Sequence, residues 1–168
     1  MIERMLRAAR LDVSVYEEVE HDQGATGQAL LIIVLAAIAG GIGGLSEGLG
    51  GLVVRVIAAV LYWILLSGAA YLVGSRLLRT GATQATWGQV LRTVGFAYSP
   101  GVLSIFGFIP ILGPILLLII SIWILVAAII AIRQALDFTT LRAVGTGIIA
   151  WLIAVIILAP LTLLTDTA

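Results

Sequence analysis

Residues Ile111–Ile132 read ILGPILLLIISIWILVAAIIAI, 22 positions without a single charge. A helix needs about 20 apolar residues to cross the roughly 30 Å hydrocarbon layer of a bilayer, and in lipid its backbone groups must be satisfied within the segment. This stretch meets both demands and reads as a transmembrane helix. It lacks period-two alternation, so a transmembrane barrel is set aside. The same signal recurs outward from it: Ala143–Leu164 on the C-terminal side, and Gln89–Ile109, Leu52–Val73 and Ala29–Leu45 on the N-terminal side. The predicted fold is an all-α membrane protein, a five-transmembrane-helix bundle preceded by a short amphipathic N-terminal cytoplasmic helix.

Composition agrees. Of 168 residues, 61% are hydrophobic and 11% charged, and the mean hydropathy is +1.19; a soluble domain holds about 45–50% apolar residues. There is no cysteine, one histidine (His21) and no lysine. Thiol catalysis, disulfides and Cys/His zinc sites are therefore excluded, as are a phosphate-binding P-loop and a Schiff-base enzyme, which need the missing amine. Nine arginines balance nine acids, leaving no basic field for nucleic acid. No residue set stands out as catalytic, metal-ligating or cofactor-binding, and no cofactor is expected.

Two segments divide the chain. Residues 1–24 form a polar leader, and residues 25–168 hold the five spans. The first span is short, dissolving into Gly40-Gly41-Ile42-Gly43-Gly44, although Ala25 to Gln28 extend it by a turn. Its acidic leader, Glu17 to Asp22, is unlike the basic start of a cleaved signal peptide, so it reads as an uncleaved anchor. Cytoplasmic loops retain arginine. Arg4, Arg7 and Arg10, then Arg76, Arg79 and Arg92, then Arg133 and Arg142 all fall on one side, whereas Arg55 stands alone on the other. The N-terminus is expected in the cytoplasm and the C-terminus outside.

In the leader, Ile2, Met5, Leu6 and Ala9 gather on one helical face opposite Arg4, Arg7 and Arg10, the pattern of an interfacial helix with arginines at headgroup level. Ser14 and Glu17 have capping-box spacing and predict a second short helix through about Glu20. Glu17, Glu18, Glu20 and Asp22 face the same compartment as Arg76, Arg79, Arg133 and Arg142. This candidate charge cluster predicts a leader folded back on the bundle, pairing first with Arg92 and Arg133.

Charges within spans are costly and mark function when they occur. Arg55 and Arg92 lie about three residues inside their spans, where they either snorkel to the interface or serve a site. The third span is unusual in placing Arg92, Gly95, Tyr98, Ser99 and Pro100 within one apolar run. Pro100 deprives the Phe96 carbonyl of its donor and predicts a kink; Tyr98 or Ser99 either satisfies the freed backbone or lines a polar pocket. Pro110 and Pro114 predict a tight turn that makes the third and fourth spans an antiparallel hairpin. Gly40, Gly44 and Gly48, with Ala36, form a small-residue stripe for close helix packing or self-association in the first span.

The order of leader, five spans, Gly95-Phe96-Ala97-Tyr98-Ser99-Pro100, a Trp123-bearing fourth span, Arg133-Gln134-Ala135-Leu136 and Arg142-Ala143 resembles the Ypt-interacting-protein (Yip domain) family in its prokaryotic form. Eukaryotic members are five-span Golgi and endoplasmic-reticulum proteins that partner Rab GTPases and shape or traffic membranes. The leader has no counterpart of their Asp-Leu-x-Gly-Pro element, so the resemblance implies an architecture before it implies a Rab partner. It implies a non-enzymatic membrane-organising scaffold or adaptor, multi-pass in a prokaryotic plasma membrane, with the lipid bilayer and a protein partner or second copy as its contacts. The alternative is a small permease or channel subunit using the break at Tyr98, Ser99 and Pro100.

Overall fold

The computed structural model describes the backbone of residues 1–42, 48–79 and 85–165. Among them the regular elements are all helical: α1 Ile2–Ala9, α2 Val13–His21, α3 Ala25–Ile42, α4 Gly48–Leu72, α5 Trp87–Ala97, α6 Leu112–Ala135 and α7 Thr140–Thr165. A π-helical turn, Val73–Leu77, continues α4, and a 3₁₀ segment, Ser99–Phe108, follows α5. Four helical stretches are long and apolar enough to cross a membrane: Ala25–Ile42, Gly48–Leu77, Leu112–Ala135 and Thr140–Pro160.

The remaining apolar run, expected as one helix over Gln89–Ile109, is instead two pieces. Pro100 has no N–H, and Ser99 Oγ donates to the freed Phe96 carbonyl at 2.6 Å. The chain then continues with tighter bonds, beginning with Gly101 N–H to Tyr98 O at 2.8 Å. A 3₁₀ helix rises about 2.0 Å per residue against 1.5 Å in an α-helix, so the 3₁₀ half reaches farther for its length. At the other end, α5 is opened by a capping box in which Thr86 and Gln89 exchange side-chain and backbone bonds.

Small residues let this broken element sit hard against α3. A Cβ built on Gly95 would lie 2.6 Å from Ala29 Cβ, and one on Gly101 would lie 3.0 Å from Ala36 Cβ. Neither position has room for a side chain. The glycine stripe expected along the first span is divided: α3 ends at Ile42, and Gly48 opens α4 with φ +68°. Gly40 packs toward Ser104 of the 3₁₀ segment, its nearest neighbour being 3.8 Å from a built Cβ; Gly44 lies outside the described residues.

A tight turn joins the 3₁₀ segment to α6, with Leu112 N–H bonded to Pro110 O and Gly113 N–H to Ile109 O. Helix α6 then packs along both α5 and the 3₁₀ segment, and α4 packs on α3, α5 and α7. Arg142 Nη1 donates to Leu78 O, and Gly74 makes way for Leu136. These contacts place the ends of α4 and α6 and the start of α7 together, at the arginine-rich end of the bundle.

Candidate functional site

The leader is a helical hairpin built into the core. Ala8, Val15, Tyr16 and Val19 are fully buried in the same cluster as Ala29, Ile32, Val90, Phe96 and Ala127. Asp12 caps α2 by accepting from Ser14 N–H at 3.0 Å, so the helix opens two residues earlier than the Ser14 and Glu17 spacing suggests. An aspartate with the correct backbone reaches that donor better than a serine already inside the turn.

The α1 arginines face α2, where headgroup contacts were expected. Arg4 pairs with Glu18 at 2.8 Å and Asp22 at 2.7 Å; Arg7 pairs with Asp12 at 2.9 Å and Glu18 at 2.8 Å. Hydrogen bonds from these guanidinium groups, together with the Ser14 hydroxyl at Asp12, hold the Asp12, Glu18 and Asp22 carboxyls below their ordinary range. Turning its arginines inward leaves α1 with Ile2 and Leu6 exposed.

Four side chains fasten this hairpin to the bundle. Arg92, 8% exposed, donates from Nε to Val19 O at 3.0 Å and from Nη2 to Glu20 O. These carbonyls belong to the last turn of α2, where helix geometry supplies no partner and the dipole favours a cation. Gln89 Nε2 donates to Glu20 Oε1 at 3.0 Å, Gln134 Nε2 to Glu17 Oε1 at 2.9 Å, and Trp123 Nε1 to Ala9 O at 2.7 Å. The first pairings expected for the leader acids were with Arg92 and Arg133. In the structure Arg92 takes backbone carbonyls, and Gln134 receives Glu17 in place of Arg133. Burial raises the Glu20 carboxyl above its ordinary range, with His21 and then Arg92 opposing that shift and Asp137 and Glu17 adding to it.

The third-span residues serve different ends. Gly95 and Pro100 are packed inside the bundle, and Ser99 is committed to Phe96 O. The Tyr98 phenol meets that of Tyr62 of α4, and both line a cavity. Arg76, Arg79, Arg133 and Arg142 are exposed at the arginine-rich end. They are not gathered with Glu17, Glu18, Glu20 and Asp22 into one network: the ion pairs found among the described residues are internal to the hairpin. Gln89 and Gln134 were missed from sequence because neutral amides carry no charge pattern, although the Thr86–Gln89 spacing was a legible signal for the start of α5.

Among the described residues no cluster of three His, Asp or Glu could hold a metal ion. The arrangement instead offers a fixed, charge-satisfied hairpin on one flank of an apolar bundle. A family model, the Yip1 domain, matches residues 13–161. The chain belongs to the Yip1 domain family. The Yip1 match begins at the first residue of α2 and so takes in the half of the hairpin that Arg92 caps. Searches of curated proteins and of solved structures returned no match. Family membership and the long apolar helices make this a Yip-domain transmembrane protein.

Proposed function

We propose that this Yip-domain protein is a non-enzymatic membrane-organising scaffold that acts by adding bulk to one leaflet. The observation that carries this reading is the bond from Trp123 to Ala9 together with that from Gln134 to Glu17. These anchor points lie 11 residues apart on α6, about 16 Å along the helix axis. The hairpin thus widens the arginine-rich half of the bundle and leaves the opposite half unwidened. A body wider in one leaflet than the other favours curved bilayer, and exposed Ile2 and Leu6 suit contact with acyl chains or an apolar partner surface.

The topology that goes with this reading has α5 and the 3₁₀ segment crossing together as the third of five spans. Both pack along α6 and return through the Ile109–Gly113 turn, which supports it. The arginine-rich end is read as cytoplasmic, with the N-terminus inside, the C-terminus outside and the plasma membrane as the location. Reconstitution tests the function: proteoliposomes of the wild type should be smaller and narrower in diameter than those of Arg92→Ala, whose hairpin is released. Equal diameters, or solute flux that depends on Tyr98, would overturn the scaffold.

A further inference from the structure

A cavity of about 620 Å³ lies between α4, α6 and α7. Its inner wall is Leu66, Tyr62, Tyr98 and Ile132, and its mouth is formed by Leu125, Ile148 and Trp151, which are also exposed to the surroundings of the bundle. It therefore opens sideways, between α6 and α7. On α6 the lining runs from Ser121 to Ile132, 11 residues or about 16 Å, close to the roughly 15 Å of hydrocarbon in one leaflet. One end stops beside Ile132 and Val144. Arg133 follows Ile132 on α6 and Arg142 lies two residues before Val144 on α7; both are exposed and without an ion pair among the described residues, and Arg142 Nη1 donates to Leu78 O at 3.4 Å, leaving its other N–H groups for a ligand. Asp137, the acid in the same α6–α7 loop, is likewise unpaired with either.

We infer that this cavity seats one acyl chain of an anionic phospholipid, with its phosphate held by Arg133 and Arg142. Water is a poor occupant, since a buried water needs two to four polar partners; here the Tyr62 and Tyr98 phenols face each other and Ser121 Oγ is bonded to Leu117 O at 2.7 Å. A helix from a second copy is also a poor fit: at a diameter of about 10 Å it fills some 400 Å³ per turn, so the space takes barely one and a half turns. A flexible chain needs no such cylinder. The volume falls within the 300–1,000 Å³ typical of small-molecule sites. The length matches one leaflet, and guanidinium groups are suited to phosphate, with Arg133 and Arg142 lying just beyond the Ile132 and Val144 end of the cavity. This site is independent of the scaffold reading, because it lies on the α4–α7 side of α6 and makes no use of the hairpin.

The test is native mass spectrometry of protein released from nanodiscs containing equal phosphatidylglycerol and phosphatidylcholine. The wild type should retain one phospholipid, preferring phosphatidylglycerol. The Arg133→Gln/Arg142→Gln variant should lose about fivefold of that preference per arginine. A Cβ at Gly147 would meet Ile132 Cδ1 at an ordinary 3.6 Å and nothing closer, so Gly147→Leu fits the backbone and fills the cavity. It should abolish retention, as should Ala128→Leu from the opposite wall. Excess inorganic phosphate should not displace the bound lipid. Retention undiminished in both filling variants, or a wild type that keeps the two lipids equally, would overturn the assignment. The arginine variant changes exposed side chains only and keeps the question decidable if a filling variant misfolds. Vesicle diameters unchanged by these variants would leave the hairpin reading standing whatever happens here.

Discussion

Trp123 lies halfway along α6, and its indole N–H donates to the carbonyl of Ala9, the last residue of α1, at 2.7 Å. The tip of the leader hairpin is thereby fixed beside the middle of a membrane-spanning helix. Trp123→Phe keeps the ring and removes the donor, leaving the Ala9 carbonyl with one partner fewer. We expect a loss of about 1 kcal/mol, read as faster amide exchange over residues 8–12 with exchange in α6 unchanged. Unaltered exchange would show that the bond does not hold the tip.

Arg92 should matter more. Removing it strands the last-turn carbonyls of α2 in a buried setting, and bonds to charged groups are worth about 1.5–3 kcal/mol each. Arg92→Ala should free the hairpin, making residues 1–24 protease-sensitive in membranes. Arg92→Lys, a point charge in place of a fork, should reach one of the two carbonyls and give intermediate cleavage.

Docking of the hairpin should depend on pH in two opposing steps. Glu20 is raised by burial, so its ionised form opposes docking; protonating it on mild acidification, above its ordinary value of 4.5, should tighten the hairpin. Asp12, Glu18 and Asp22 are lowered by their partners, chiefly Arg4, Arg7 and Ser14. Their contribution is present above the ordinary carboxylate range and is lost as pH falls through their lowered values. Protease resistance of residues 1–24 should therefore peak in mildly acidic buffer and fall in stronger acid. Glu20→Gln should erase the rise and spare the fall.

Thr146 is fully buried on α7, and its hydroxyl has no hydrogen-bond partner among the described residues. Thr146→Val replaces the hydroxyl with a methyl of nearly the same shape. Losing an unsatisfied polar group is neutral or stabilising, so thermal unfolding in detergent should occur at the same temperature or a few degrees higher. A lower unfolding temperature would mean the hydroxyl has a partner.

Ile111 holds φ +69° in the turn before α6 and is almost wholly exposed. A β-branched side chain is strained in that region, and glycine is not. Ile111→Gly should stabilise the α6 hairpin by about 1 kcal/mol, visible as slower exchange at Leu112 and Gly113.

Much of the architecture was legible because its causes are local. Twenty apolar residues in a row specify a membrane helix wherever they occur, and Pro100 must break the bond to Phe96 in any context. The rest depended on contacts that residue types do not announce. Arg92 was expected to seek a carboxylate, but its partners are the main-chain oxygens of Val19 and Glu20, a valence every helix end possesses. Arg4 and Arg7 looked like headgroup ligands because their acidic partners lie 5 to 18 residues away, in or beyond a turn set by Leu11 at φ +61°. The cavity has no sequence signature at all, since it is a gap left among α4, α6 and α7 where their mutual packing is incomplete.

The cap that Arg92 places on α2 spans 72 positions of sequence. Synthesis proceeds from the N-terminus, so α2 emerges long before the residue that closes it. Throughout that interval the hairpin can fold around its own ion pairs, but the end of α2 stays open and the leader remains available to other surfaces. Synthesis of α5 ends that availability. The order of synthesis thus makes closure of the α2 end a late event, possible only once Arg92, 72 positions beyond Glu20, has been made.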